Sequence, residues 1–189
     1  MHPALQTYLA GKITLSDEQA SIVSRCFKTK CTKRNEILVT KGSVARYVYF
    51  VVQGCLRVFL TDDQGNESTR FLILEGRFGT AFPSFILRKP SIASLQSPEP
   101  SQLLMISYED RQTLYERIPG WETMDRIGIE LDYIESIQRI ESFISLDARA
   151  RYDTLQQTNP EIIHRLPAKI IADYLGISQE TLSRLKSKK

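Results

Sequence analysis

Cysteine and histidine are scarce in this chain of 189 residues. The three cysteines, Cys26, Cys31 and Cys55, are odd in number and scattered, so they make no disulfide framework. Cys26 and Cys31 are spaced like half of a metal site, but structural zinc and iron–sulfur centres need four ligands, and no others stand nearby. The two histidines, His2 and His164, are far apart. No nucleophile, base and orienting group can be assembled from the rest, so no catalytic residue, metal site or enzymatic activity is expected. Long apolar runs are missing as well. None approaches the ~20 residues that span a bilayer, and the N-terminus lacks the basic-then-apolar pattern of a secretory signal. The expectation is a cytoplasmic protein with no membrane partner. An excess of one charge is also missing, since the net charge is only +3. With 42% hydrophobic and 25% charged residues, the composition is that of a soluble globular protein.

The small positive excess is local. Ser145 to Lys189 carries eight Lys+Arg against five Asp+Glu, so the first 144 residues are balanced. The same stretch holds the strongest motif, from Leu166 to Lys186. Pro167 suits the first position of a helix, where its missing N–H costs nothing. Ile170, Ile171, Tyr174 and Leu175 recur at helical spacing. Gly176 can end that helix in a left-handed conformation, and Ser178 can cap the next. Leu182 and Leu185 turn the second helix back on the first, with the small Ala172 at the closest approach. This is helix-turn-helix spacing, which places the second helix in the DNA major groove. Gln179, Glu180, Ser183, Arg184 and Ser187 share its outer face. Arginine can pair with guanine and glutamate can accept from cytosine. The basic tail of Arg184, Lys186, Lys188 and Lys189 is suited to phosphate. A plain αα-hairpin, with Glu180 and Arg184 as an i,i+4 ion pair, is the competing interpretation.

Earlier in the chain, Ser16 and Gln19 form a capping box ahead of Ile22, Val23 and Phe27. Lys28 to Arg34 looks like a basic turn. From Glu36 the apolar period becomes two. Runs at 36–41, 47–52, 55–60, 69–74 and 102–106 end at glycines or turns, with a hairpin at Asp62 to Asn66. The region after Gly79 looks irregular, with Pro83, Pro90, Pro98 and Pro100. Short strands of this kind suggest a small antiparallel barrel or roll. A short helix at 107–117 stops at Pro119 and Gly120. A long helix follows at about 121–144 with two apolar lines. One is Met124, Ile127, Leu131 and Ile134; the other is Tyr133, Ile137, Ile140 and Ile144. The spacing predicts that one line covers the roll and the first meets a second subunit. Further helices at 147–157 and 160–165 lead into the terminal unit.

A roll, a long helix and a terminal helix-turn-helix resemble the Crp/Fnr family of bacterial transcription regulators over nearly the whole chain. The resemblance rests on Gln179-Glu-Thr-Leu-Ser-Arg184, on Lys41-Gly42-Ser43 and on Val51-Val-Gln-Gly54. It implies an α+β protein. Residues 1–118 would be a cyclic-nucleotide-binding-like jelly roll with flanking helices. Residues 119–145 would be a dimerisation helix, and 146–189 a DNA-binding domain without a full wing. It also implies a homodimer on palindromic double-stranded DNA, with RNA polymerase as a further partner. The effector pocket would comprise Phe78, Gly79, Thr80, Ala81, Arg88 and Ser91. Nucleotide-binding members carry Glu where this chain has Thr80, and Arg where it has Pro90. No cofactor is therefore expected, and cyclic AMP is expected not to bind. Two other readings stay open here: a true cyclic-nucleotide sensor using Arg88 or Lys89, and a protein-interaction module with a degenerate helix-turn-helix.

Overall fold

The computed structural model describes residues 1–187. Two short helices, α1 (Pro3–Leu9) and α2 (Asp17–Cys26), open the chain. Side chains cap both: the Ala4 amide donates to His2 Nδ1, and Ser16 and Gln19 close the expected capping box. The strands are β1 (Lys28–Thr32), β2 (Glu36–Val39), β3 (Tyr47–Gln53), β4 (Leu56–Thr61), β5 (Glu67–Ile73), β6 (Phe78–Gly79), β7 (Ala93–Ser97) and β8 (Ser101–Ser107). A short helix, α3 (Phe82–Leu87), separates β6 from β7. The strands pair into two antiparallel four-stranded sheets, ordered β1-β8-β3-β6 and β2-β7-β4-β5.

Alternation along β3 shows how the roll is filled. Tyr49 and Val51 point between the sheets, where they meet Val58, Leu95, Leu103 and Phe85. Phe50 points outward with Leu104 and Ile106, against α1, α2 and the helices after the roll. Between β3 and β4 the chain turns at Gly54, whose φ is +103°. A Cβ there would stand 2.1 Å from Ser101 Oγ, so only glycine fits the turn.

Several elements differ from the sequence reading, which does not foresee α1. β1 lies where a basic turn is expected, and it becomes a strand by pairing with β8 at the sheet edge. α3 and β7 occupy the proline-rich region expected to be irregular. Pro83 stands in the first turn of α3, where proline is tolerated, and β7 is held between β2 and β4.

The remaining elements are helical: α4 (Tyr108–Arg117), α5 (Trp121–Ser145), α6 (Ala148–Thr158), α7 (Pro160–Arg165), α8 (Ala168–Leu175) and α9 (Gln179–Ser187). The helices α6 to α9 share one core. Tyr152, Leu155, Ile163, Ile171, Leu175 and Leu182 close on Cys55 and Leu72 of the roll.

Helix α5 packs the other way round from an ordinary surface helix. Trp121 and Met124 are buried beside α1, α2 and α4, and the rest of its apolar residues are not. Ile127, Leu131 and Ile134 are exposed, and so are Tyr133, Ile137, Ile140 and Ile144. Two expectations are corrected here. Met124 belongs to the protein's own core, in one cluster with Phe50, Leu104 and Ile106 of the roll, and not to a partner-facing line; the remaining residues of both lines are exposed and leave the roll uncovered. The roll side of α5 is polar. Toward α4, Asp125 accepts from Arg111 Nε at 2.9 Å and from the Tyr115 hydroxyl. Arg77 reaches Asp132 at 2.6 Å and Glu135 at 2.5 Å. Arg139 donates to the carbonyls of Thr69 (3.1 Å) and Tyr174 (2.6 Å) and lies over the Tyr174 ring.

Candidate nucleic-acid interface and sensor cassette

The turn between α8 and α9 follows from its residues. Pro167 caps α8 from outside instead of entering it as the sequence reading has it; its ψ of 141° is extended. Gly176 is left-handed with φ +65°. The Ile177 amide donates to Ala172 O and the Gly176 amide to Asp173 O, the paired bonds of a Schellman motif. Ser178 Oγ then accepts from the Thr181 amide at 3.1 Å and starts α9. Ala172 and Leu182 are buried in the shared core, and Leu185 packs at its edge.

The opposite face of α9 is turned to solvent. Ser178, Gln179, Glu180, Ser183, Arg184, Lys186 and Ser187 are exposed. Among the described residues the Arg184 side chain bonds only Thr181 Oγ1 on its own helix, at 3.1 Å. The Ser178 hydroxyl, and less so Arg184, hold the Glu180 carboxyl below its ordinary range, so it is an acceptor at neutral pH. Lys186 reaches back to the Ile163 carbonyl at 3.3 Å. Lys188 lies outside the described residues.

This helical unit is fastened to the roll by charges that the sequence reading did not single out. Arg57 on β4 is 3% exposed. Its guanidinium donates to Thr69 Oγ1, to Glu67 and to Asp173 Oδ2 on α8, each at 2.7 Å. Asp173 also accepts from the Thr69 amide (2.8 Å) and hydroxyl. At the end of α7, Arg165 meets Glu75 at 2.8 Å and Glu99 at 2.5 Å.

Burial raises the pKa of Glu75, but the bonds from Arg165 and the Gly54 amide outweigh it, and the net shift is downward. A carboxyl depressed in the folded state stabilises above its unfolded value of about 4.3 and stops doing so as pH falls through the folded value. Acidification below about pH 4 should therefore loosen α7 from the roll. Amide exchange along α7 would show it, and Glu75→Gln should flatten that pH dependence.

The polar groups of the residues expected to form the effector pocket are already engaged elsewhere. Thr80 Oγ1 donates to the Tyr47 carbonyl at 2.8 Å. Ser91 Oγ donates to Ala93 O and accepts from Ala93 N. Ala81 precedes α3, which drives Phe85 fully into the roll. Arg88 is left-handed, and its guanidinium lies over the Tyr108 ring and reaches Glu109 at 3.3 Å. It is thus turned toward α4 and away from Phe78, Gly79 and Thr80. No carboxylate stands at 80 and no cation at 90 to hold a ribose and a cyclic phosphate.

Against known proteins, residues 29–117 match the cyclic nucleotide-binding domain. No curated protein matches in sequence. Solved structures similar to the whole chain are those of Crp/Fnr regulators. CLP of Xanthomonas campestris, described as c-di-GMP responsive, is 19% identical over 92% of this chain and 91% of that one, with a TM-score of 0.72. FixK2 of Bradyrhizobium japonicum is 16% identical over 86% and 83%, with a TM-score of 0.73. A Crp/Fnr-family regulator of Eubacterium rectale is 19% identical over 97% and 84%, with a TM-score of 0.66. The chain therefore has the Crp/Fnr fold: an antiparallel two-sheet roll with flanking helices, a long helix and a helical C-terminal unit.

Proposed function

We propose that this protein is a DNA-binding transcription regulator that acts as a cytoplasmic homodimer, without catalytic activity and without cyclic AMP as effector. The observation that carries the reading is α9. Its core face is locked by Leu182, while Gln179, Glu180, Ser183 and Arg184 on its outer face make no bond beyond the helix and its cap among the described residues. Duplex DNA is the natural partner for that arrangement, because Arg184 and Glu180 match the donor and acceptor edges of a G·C pair. RNA polymerase would be met on the DNA.

DNA selected from random duplexes should carry a palindrome. Arg184→Ala should cost about 1–3 kcal/mol and relax preference at one base pair per half-site. Lys186→Ala should weaken all sequences alike and lower the salt slope. Retention on DNA that is insensitive to salt, or an Arg184→Ala variant with unchanged affinity and preference, would favour a protein-interaction module.

The sensor reading is tested by titration calorimetry with millimolar cyclic AMP. Two missing charged contacts should weaken binding by roughly two to four powers of ten. Millimolar affinity or none is expected. A micromolar site abolished by Arg88→Ala would restore the nucleotide sensor.

A further inference from the structure

A cavity opens at the edge of the roll, apart from the expected effector residues. It encloses about 600 Å³ and is lined by Lys30, Glu36, Ile37, Leu38, Ser43, Val44, Arg46, Tyr47, Tyr49 and Met105. That volume lies in the range of small-molecule sites, roughly 300–1,000 Å³. None of Phe78, Gly79, Thr80, Ala81, Arg88 or Ser91 lines it. The register explains how it is built. Tyr49 pairs with Met105, and Met105 with Lys28, so side chains of three strands share the inner face of the sheet near its β1 edge. The loop between β2 and β3, tied to Ser91 by backbone bonds from Gly42 and to Ser43, supplies Val44 and Arg46 to the same opening.

We propose that this cavity binds a small aryl carboxylate, with the ring between Tyr47, Tyr49 and Met105 and the carboxylate on Arg46 and the Tyr49 hydroxyl. The decisive group is Tyr49. Tyr49 is only 4% exposed and its hydroxyl makes no hydrogen bond to another described residue; no buried side-chain oxygen among them is left without a partner, so the hydroxyl meets solvent through the cavity it lines. The hydroxyl also stays a donor, because burial, with smaller effects from Tyr47 and Glu36, pushes its pKa up to about 12. Arg46 is exposed and has no ion-pair or hydrogen-bond partner among the described residues, so its guanidinium is open to an anion. Lys30 is not open, since it pairs with Glu36 at 2.8 Å. The lining thus carries one uncompensated positive charge. Tyr47 and Tyr49, with ring centroids 6.4 Å apart at 56°, and the Met105 thioether offer a planar apolar body an edge and a face. Arginine and a phenolic donor on a carboxylate are charge-assisted bonds that a neutral amide would not make.

The test uses the full chain with 13C-labelled methionine methyls. Met105 lines the cavity, whereas Met1 and Met124 lie in another cluster and serve as internal controls. Phenylacetate, 4-hydroxyphenylacetate and indole-3-acetate are titrated to millimolar concentration beside phenylacetamide and cyclic AMP. Saturable movement of the Met105 methyl alone is expected with at least one acid. Arg46→Ala should weaken it by about tenfold or more, and Tyr49→Phe, which keeps the ring and the packing, severalfold. The amide should bind about tenfold more weakly than its acid. No movement of Met105 by any of the three acids would overturn the proposal. So would equal binding of acid and amide, or a tighter response to cyclic AMP, which would make the cavity a displaced nucleotide site. These outcomes are independent of whether the protein binds DNA.

Discussion

Leu131→Glu is expected to give a folded monomer. Leu131 is 61% exposed and lies on the same outward line as Ile127 and Ile134, so its replacement removes nothing from the core of its own subunit. A helix that keeps its polar side on the roll and its aliphatic side outside is incomplete as a single chain. In the proposed homodimer a second copy related by a two-fold axis would complete it, since the same stripe would then cover itself. In that dimer the glutamate would be buried opposite its own symmetry mate. An unpaired buried charge costs about 3–5 kcal/mol, roughly two to four powers of ten in the dimer dissociation constant. Sedimentation at micromolar concentration should show monomer with an unchanged far-ultraviolet spectrum. DNA affinity should fall with it, because two half-sites are no longer read together. A variant that stays dimeric would move the interface off α5, and one that unfolds would mean that Leu131 is part of a subunit core.

The second large effect is expected at Arg57. Removing one partner of a buried pair leaves the other unsatisfied, at a cost of about 3–5 kcal/mol. Arg57→Met would strip Glu67 and Asp173 of their shared cation and Thr69 of a donor. For a chain of this size each kcal/mol shifts Tm by roughly 2–4 °C, so the variant should melt lower by about ten degrees. Amide exchange should rise across α8 more than within the roll sheets. Asp173→Leu added to Arg57→Met should recover part of the loss, because an apolar pair of similar volume needs no counter-charge. Single variants that each cost under ~1 kcal/mol would show that the pair is mere decoration.

The terminal unit was the most legible part of the chain, because everything that fixes it is local: Gly176 to stop one helix, Ser178 to start the next, Leu182 to hold them. The long strands were legible for the same reason, as in the alternation of Tyr47 to Val52. What could not be read was set by partners distant in sequence. Lys28 to Thr32 has the composition of a turn and becomes a strand because Leu103 and Met105 lie beside it. Ala93 to Ser97 is hidden among prolines and is fixed by β4 and β2. The two apolar lines of the long helix were visible, but not which neighbour they face. Periodicity gives the faces of a helix and says nothing about what Arg77 and Arg139 offer on the other side. Arg57 and Asp173, 116 residues apart, carry no common signal in sequence.

The two sides of α5 also answer oppositely to the solvent. Its grip on the roll runs through half-exposed ion pairs such as Arg77 with Asp132 and Glu135. Such pairs weaken as electrolyte shortens the Debye length, about 8 Å at physiological ionic strength. Its outer stripe would associate through apolar area, which excluded salts such as sulfate strengthen. Ionic composition can therefore set the two attachments against each other. Sodium sulfate should tighten subunit association while easing the helix from its own roll, and low ionic strength should do the reverse. A helix so placed behaves as a lever with one end screened and the other salted out.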